Sequence, residues 1–149
     1  MLKYYRGYIM YTIKEVAEKM DLSEHTLRFW AKSGFFPFIT RNENNIRLFS
    51  EDDLNWVRIV KCLRAIGTET KLVKRYIDLC IMGDSTIPER YEIIKTTKGK
   101  ALQQMDELKK QLELLDYKEA HYKNLIQNNL CDNWNPMNQM SQMKQECAG

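Results

Sequence analysis

Apolar positions recur at helical spacing twice in quick succession near the start of the chain. Ile13, Val16, Ala17 and Met20 make one stripe. After Asp21-Leu22-Ser23, Leu27 marks the inward side of a second, shorter helix whose other side carries Glu24, His25, Thr26, Arg28 and Trp30. Thr12 with Glu15 has the capping-box spacing that starts a helix at Ile13, and Ser23 caps the second. Past Gly34, a helix terminator, the period changes. Residues 35–39 are apolar and aromatic around Pro37, Arg41-Asn42-Glu43-Asn44-Asn45 supplies turn chemistry, and Ile46-Arg47-Leu48-Phe49 alternates like a strand. That predicts a hairpin wing with Arg47 pointing outward against Ile46 and Leu48.

The helical period then returns. Ser50-Glu51-Asp52-Asp53 is an acidic cap suited to a helix dipole, and Leu54, Val57, Val60 and Leu63 form the next buried stripe, with Arg58, Lys61 and Arg64 on a more solvated side. Gly67 ends that helix, and Thr68 begins another with Leu72, Val73, Tyr76, Ile77 and Cys80 as its apolar set, up to the break at Gly83-Asp84-Ser85. Thr86-Ile87-Pro88-Glu89 reads as a helix start. From there Ile94, Ala101, Met105, Leu108, Leu112, Leu115, Tyr122 and Ile126 alternate steps of three and four, with Lys98 and Glu119 as polar interruptions. A helix of about 40 residues spans about 60 Å and outreaches so small a head, so the seam predicts self-pairing, with orientation and partner number left open. From Asn128 onward Asn, Gln, Met and Ser dominate and Asn135-Pro136 interrupts any helix, which predicts a flexible tail.

Two short helices and a wing form a DNA-reading head. The expected contacts to promoter DNA are Thr12, Ser23, His25, Thr26, Arg28 and Trp30 on the helices and Arg41, Asn44, Asn45 and Arg47 on the wing. The fold class is mainly α, a winged helix-turn-helix followed by a long coiled-coil helix. The expected division is an N-terminal arm over 1–9, the head over 10–83, the dimerisation helix over 84–128 and the tail over 129–149. Residues 1–9 hold Lys3 and Arg6 among tyrosines and are expected to fray, with Met10 directly before the motif.

Composition narrows the class without deciding it. The 149 residues allow one compact domain plus an extension, and 23 basic against 20 acidic residues give +3, too mild to announce nucleic acid. No apolar run is long enough for a membrane and the start lacks a secretory pattern, so a cytoplasmic protein with reduced cysteines is expected. Cysteines at 62, 80, 131 and 147 contain no CxxC and no zinc-like quartet. There is no glycine loop for phosphates and no metal-water site, and His25 and His121 are the only histidines, so neither an enzyme nor a bound cofactor is expected.

The strings TIKEVAEKMDLSEHTLRFW, NNIRLFSEDDL and VRIVKCLRAIG, in this order and spacing, resemble the MerR family of bacterial transcription regulators over roughly residues 11–126. The family's usual Gly-Tyr-Arg in the wing is Asn45-Ile46-Arg47 here, and its Arg-Tyr-Tyr-Glu is Arg28-Phe29-Trp30-Ala31. The resemblance implies an antiparallel dimer on a two-fold operator that twists and bends promoter DNA so that RNA polymerase engages both promoter elements. Residues 56–64, with the later GDSTIPER, are similar to the small aldehyde- and electrophile-responsive branch, in which a cysteine at the position of Cys62 is the proposed thiol sensor; Lys61 and Arg64 beside it would favour a thiolate. Two alternatives stand beside that reading. One is a Cu(I) response through Met137, Met140 and Met143 between Cys131 and Cys147. The other is a coiled-coil adaptor that keeps the head as a protein-binding module.

Overall fold

The computed structural model describes residues 3–5, 7–133 and 135–137. In chain order the elements are β1 (Lys3–Tyr5), β2 (Tyr8–Thr12), α1 (Ile13–Met20), α2 (Glu24–Lys32), β3 (Thr40–Arg41), β4 (Arg47–Phe49), α3 (Glu51–Ala65), α4 (Thr70–Met82) and α5 (Ile87–Asn128), with a 3-10 turn over Asp84–Thr86 before α5. The chain divides into two units, Met1–Ala101 and Leu102–Gly149.

Three helices of the first unit, α1, α2 and α3, start where a side chain can satisfy their free amides, whereas α4 begins at Glu69 without a side-chain cap. At α1 the Thr12 hydroxyl accepts from the Glu15 amide while the Glu15 carboxylate accepts from the Thr12 amide at 2.7 Å. Ser50 and Asp53 do the same at α3. Ser23 caps α2 by accepting from the Thr26 amide at 3.0 Å. Asp21 closes α1 in the left-handed region, so the turn into α2 takes three residues.

These three capped helices and α4 pack around one core. Val16, Leu27, Phe49, Val57, Val60, Val73 and Ile77 have no exposed surface, and Phe35, Leu54 and Leu63 are sealed with them. The three-residue period of α3 is therefore its buried face. On the opposite border of that face the Lys61 ammonium donates to the Met20 carbonyl at 2.6 Å, a cation on the last carbonyls of α1. Phe36 meets Phe49 edge-on, with ring centroids 5.8 Å apart, and joins the loop after α2 to the wing.

The sheet has the order β1-β2-β4-β3, all antiparallel neighbours. Residues 1–9 were expected to fray, but β1 pairs along β2 with Lys3 opposite Met10 and Tyr5 opposite Tyr8. Strand β2 is paired along its length, residues 8–10 with β1 and Tyr11 and Thr12 with Phe49 and Leu48 of β4. Met10 is buried, so the segment in front of it extends the sheet of the wing. The side chains of Lys3 and Arg6 lie outside the described residues. Ile46, expected inward, is exposed, because the strand proper begins at Arg47 and only Leu48 and Phe49 reach the core.

The helix α5 runs 42 residues. The Thr86 hydroxyl before it donates to the Leu79 carbonyl and accepts from Arg90, so it ties α4 to α5 instead of capping α5. Arg75 and Glu89 add an exposed ion pair at 2.7 Å between the same helices. Ile94 was expected in the dimer seam, yet it packs against the core of the first unit, three residues ahead of the buried Thr97. Ala101 is half-buried, whereas Met105, Leu108, Leu112, Leu115, Tyr122 and Ile126 are exposed in the single chain. In the second unit Asn129 turns in the left-handed region, the Leu130 amide donates to the Leu125 carbonyl, and His121 meets Asp132 at 3.1 Å. Met140, Met143 and Cys147 lie outside the described residues.

Truncating a sealed core ring should cost far more than truncating an exposed one of the same type. Phe49→Ala is expected to lose about 3–5 kcal/mol and Phe29→Ala, half exposed on α2, less than about 0.5 kcal/mol, measured by chemical denaturation of the two variants beside wild type.

Candidate nucleic-acid interface

The open side of the first unit carries a cleft of about 390 Å³ where three segments meet. The start of α1 contributes Thr12 and Lys14, α2 contributes Glu24 and Arg28, and the wing contributes Asn45, Ile46 and Arg47. Three of these side chains are cationic. The core described above fixes their spacing, because α1, α2 and β4 all pack on it.

Arg47 is the most constrained of the three. Partial burial, followed by the neighbouring guanidinium groups of Arg41 and Arg28, pushes its value below that of an ordinary arginine. It stays charged at physiological pH, so the crowding is a strain on the free protein that an arriving anion relieves. Among the described residues no carboxylate is paired with it. Arg28, by contrast, donates to Glu24 one helical turn back at 2.7 Å, both side chains being well exposed. Such a pair adds only about 0.3–0.5 kcal/mol, so Arg28 can exchange Glu24 for a phosphate at small cost.

The wing tip is built by Asn42, which reasoning from sequence took for generic turn chemistry. Its Oδ1 accepts from the amides of Asn44 and Ile46, and its carbonyl accepts from Asn45. Asn45 sits at a φ of 61°, a conformation asparagine tolerates, where the Arg41 guanidinium donates to both its carbonyl and its Oδ1 at 3.1 Å. Arg41 and Asn45 thus stiffen the tip, and Asn44 remains exposed beside them.

The remaining expected contacts divide. His25 is exposed and Thr26 half-buried on α2. The hydroxyls of Ser23 and Thr26 bond each other at 2.8 Å, and Thr12 is committed to its capping box, so these groups position helices at the rim. Trp30 is a correction: it is only 5 % exposed and belongs to the core. It lies three residues after Leu27 and so on the same buried face. Phe29 takes the outward aromatic position at 50 % exposure. Lys14 lines the cleft and was not foreseen; its place two residues after the Thr12 cap is the signal that could have found it.

Cys62 is a free, exposed thiol on α3. Lys61 and Arg64, expected to act on its sulfur, donate instead to the carbonyls of Met20 and Thr68. Cys80 is also free and half-buried on α4, with an Arg90 guanidinium nitrogen 3.9 Å from its sulfur. Burial first, then the neighbouring Cys80, push the Tyr76 hydroxyl up from its ordinary value. Cys131, expected as a thiol, is disulfide-bonded. Among the described residues no group of three or more His, Cys, Asp or Glu side chains is placed to hold a metal, and no helix is long and apolar enough to cross a membrane.

Comparison with known proteins agrees with this geometry. The family profile described as "MerR HTH family regulatory protein" matches residues 11–80. An uncharacterised HTH-type transcriptional regulator of Haemophilus influenzae is 39% identical over 112 residues, covering 75% of this chain and 83% of the relative. The HTH-type transcriptional regulator AdhR of Bacillus subtilis is 32% identical over 82 residues, 55% of this chain and 59% of AdhR. Among solved structures, HiNmlR, a MerR family regulator lacking the sensor domain, bound to promoter DNA, superimposes with a TM-score of 0.75 at 36% identity, covering 82% of this chain and 97% of that one. The relatives matched are transcription regulators and not enzymes.

If Arg47 faces a phosphate, Arg47→Gln weakens binding to every duplex alike and lowers the slope of log affinity against log salt by about 0.9. Titrations of one duplex between about 50 and 200 mM salt check this. An unchanged slope removes Arg47 from the interface.

Proposed function

Since the chain belongs to the MerR family of DNA-binding transcription regulators, we propose that it works as a homodimer on a two-fold promoter element and that Cys62 is its switch. The α2 helix enters the major groove, and the wing lies against the flanking backbone. Arg28, Arg41 and Arg47 meet phosphates, while His25, Thr26 and Asn44 lie where base edges or sugars pass. The carrying observation is the cationic cleft between the starts of α1 and α2 and the wing, in which Arg47 is crowded by its own neighbours and paired with no carboxylate among the described residues.

Dimerisation uses the exposed apolar residues of α5 from Met105 to Ile126. Leu108 and Leu112 are each more than half exposed in the single chain and lie one helical turn apart, as a partner helix requires. Two heads so joined bind half-sites related by the same two-fold axis. Twisting and bending the DNA between them would bring both promoter elements into register for RNA polymerase, at a deformation cost set by the sequence in between.

The inducer is an aldehyde or another thiol-reactive electrophile. Cys62 is exposed to it, and its neighbours in sequence hold α3 in place: Lys61 bonds the end of α1, and Leu63 is sealed in the core. Addition of the sulfur to an aldehyde carbon forms a hemithioacetal, with the thiol proton ending on the new hydroxyl. The adduct adds bulk on α3 one residue from the contact that seats α1, and so reaches the reading head.

Two measurements test the reading. Leu108→Asp should convert a dimer to a monomer in analytical ultracentrifugation and weaken promoter binding; a variant that remains dimeric rejects the seam. Transcription from the promoter upstream of its own gene should rise with formaldehyde for wild type, and Cys62→Ser should bind the same DNA without responding. If Cys62→Ser responds like wild type, the signal enters elsewhere. A dimer showing no salt-sensitive binding to duplex DNA would favour the adaptor.

A further inference from the structure

Glu24 is out of character in the cleft. Among the described residues lining it, Glu24 alone carries a negative charge, against the cations of Lys14, Arg28 and Arg47. A carboxylate at a surface that receives phosphates lowers affinity for every sequence, through the same long-range attraction that the cations supply. Its cost is uniform, and beyond its place in the first turn of α2 and its pair with Arg28 a selective gain at a base would repay it.

Two features give it a selective task. Glu24 is the first residue of α2, and residues at the start of a recognition helix are those that meet base edges. Its side chain is also partly held, with one carboxylate oxygen 2.7 Å from the Arg28 guanidinium, which leaves the other oxygen's lone pairs free of that contact. An ionised carboxylate only accepts hydrogen bonds. In the major groove guanine presents two acceptors, thymine an acceptor and a methyl, and adenine an acceptor beside its amine; cytosine presents an amine with no adjoining acceptor.

From this we infer that Glu24 is a specificity-determining residue that selects cytosine at one position of each half-site by accepting its N4 amine, while Arg28 stays within reach of the adjacent phosphate. The inference rests on the DNA-reading function proposed above. Glu24 acts by repulsion as much as by attraction: it penalises the other three bases and non-specific backbone alike, and only cytosine relieves the penalty. In the free protein the Arg28 contact holds the carboxylate at the start of α2.

The test begins with a duplex that wild type selects from a randomised pool. Affinities of wild type and Glu24→Gln are then measured for that duplex, for all single-base variants of one half-site and for a scrambled duplex, with thermal melting as a check on folding. Glutamine keeps the shape, loses the charge and can donate as well as accept. The expected result is that wild type prefers cytosine at one position by about tenfold, and that Glu24→Gln loses that preference there alone while binding the scrambled duplex more tightly. Glu24→Ala should follow Glu24→Gln. Three results overturn the inference: no cytosine preference in wild type, an unchanged base profile in Glu24→Gln, or a uniform loss of affinity for all duplexes, which is what a merely structural role would give. Should wild type select no duplex and show no salt-dependent binding, the regulator reading falls and takes this one with it.

Discussion

Helices of eight and nine residues do not persist in water unaided, since nucleation is unfavourable and propagation too short to repay it. The reading head therefore exists only because α1, α2 and the wing share a core with α3. Leu27 of α2, Val16 of α1, Phe49 of β4 and the α3 stripe of Leu54, Val57, Val60 and Leu63 are sealed in one cluster. That shared burial converts three weak local structures into a single surface. It also fixes the separation between Arg28 on α2 and Arg47 on β4, on which any match to the spacing of phosphates depends.

Rigidity of this kind lets the surface hold an unfavourable charge arrangement. Three guanidinium groups are brought close enough that Arg28 and Arg41 bear on Arg47, and the core prevents them from relaxing apart. The arrangement is tolerable because Glu24 offsets Arg28, and because the asparagine turn gives Arg41 two oxygens to donate to. Among the described residues Arg47 receives neither form of relief. A polyanion supplies what the fold withholds, and association at such a site is steered and salt-dependent for the same reason.

Much of this was legible in the amino-acid sequence wherever the signal was local. The capping boxes at Thr12 and Ser50, the stripe on α3 and the inward Leu27 depend on spacings of three and four residues, which a linear string displays directly. Trp30 was misplaced because its indole suggested a polar contact, although its distance from Leu27 already put it on the buried side. Ile94 was assigned to the seam because the three-four alternation does not say where one partner ends and another begins; its packing against the first unit is a tertiary fact. The hairpin of β1 and β2 was missed for the same kind of reason, as the pairing of Lys3 with Met10 continues a strand that β4 anchors further on, at Tyr11 and Thr12. The cleft itself is assembled from residues 12 to 47, which only the fold brings together.

The switch proposed for Cys62 draws on its position on α3. It occupies the exposed side of the helix whose opposite side is the core. A rigid stripe transmits displacement because its neighbours are close-packed and respond to small changes in volume. The polar contact beside it, from Lys61 to the Met20 carbonyl, is charge-assisted and sits at the end of α1, where a cation also meets the negative end of the helix dipole. The contact joins α3 to the helix-turn-helix one residue from the thiol. Cys80 has a different environment: half-buried, with Arg90 near its sulfur and Tyr76 beside it, it lies in the joint between α4 and α5. Exposure, together with a direct link to the reading head, is what distinguishes Cys62 from it, and neither depends on the identity of the electrophile.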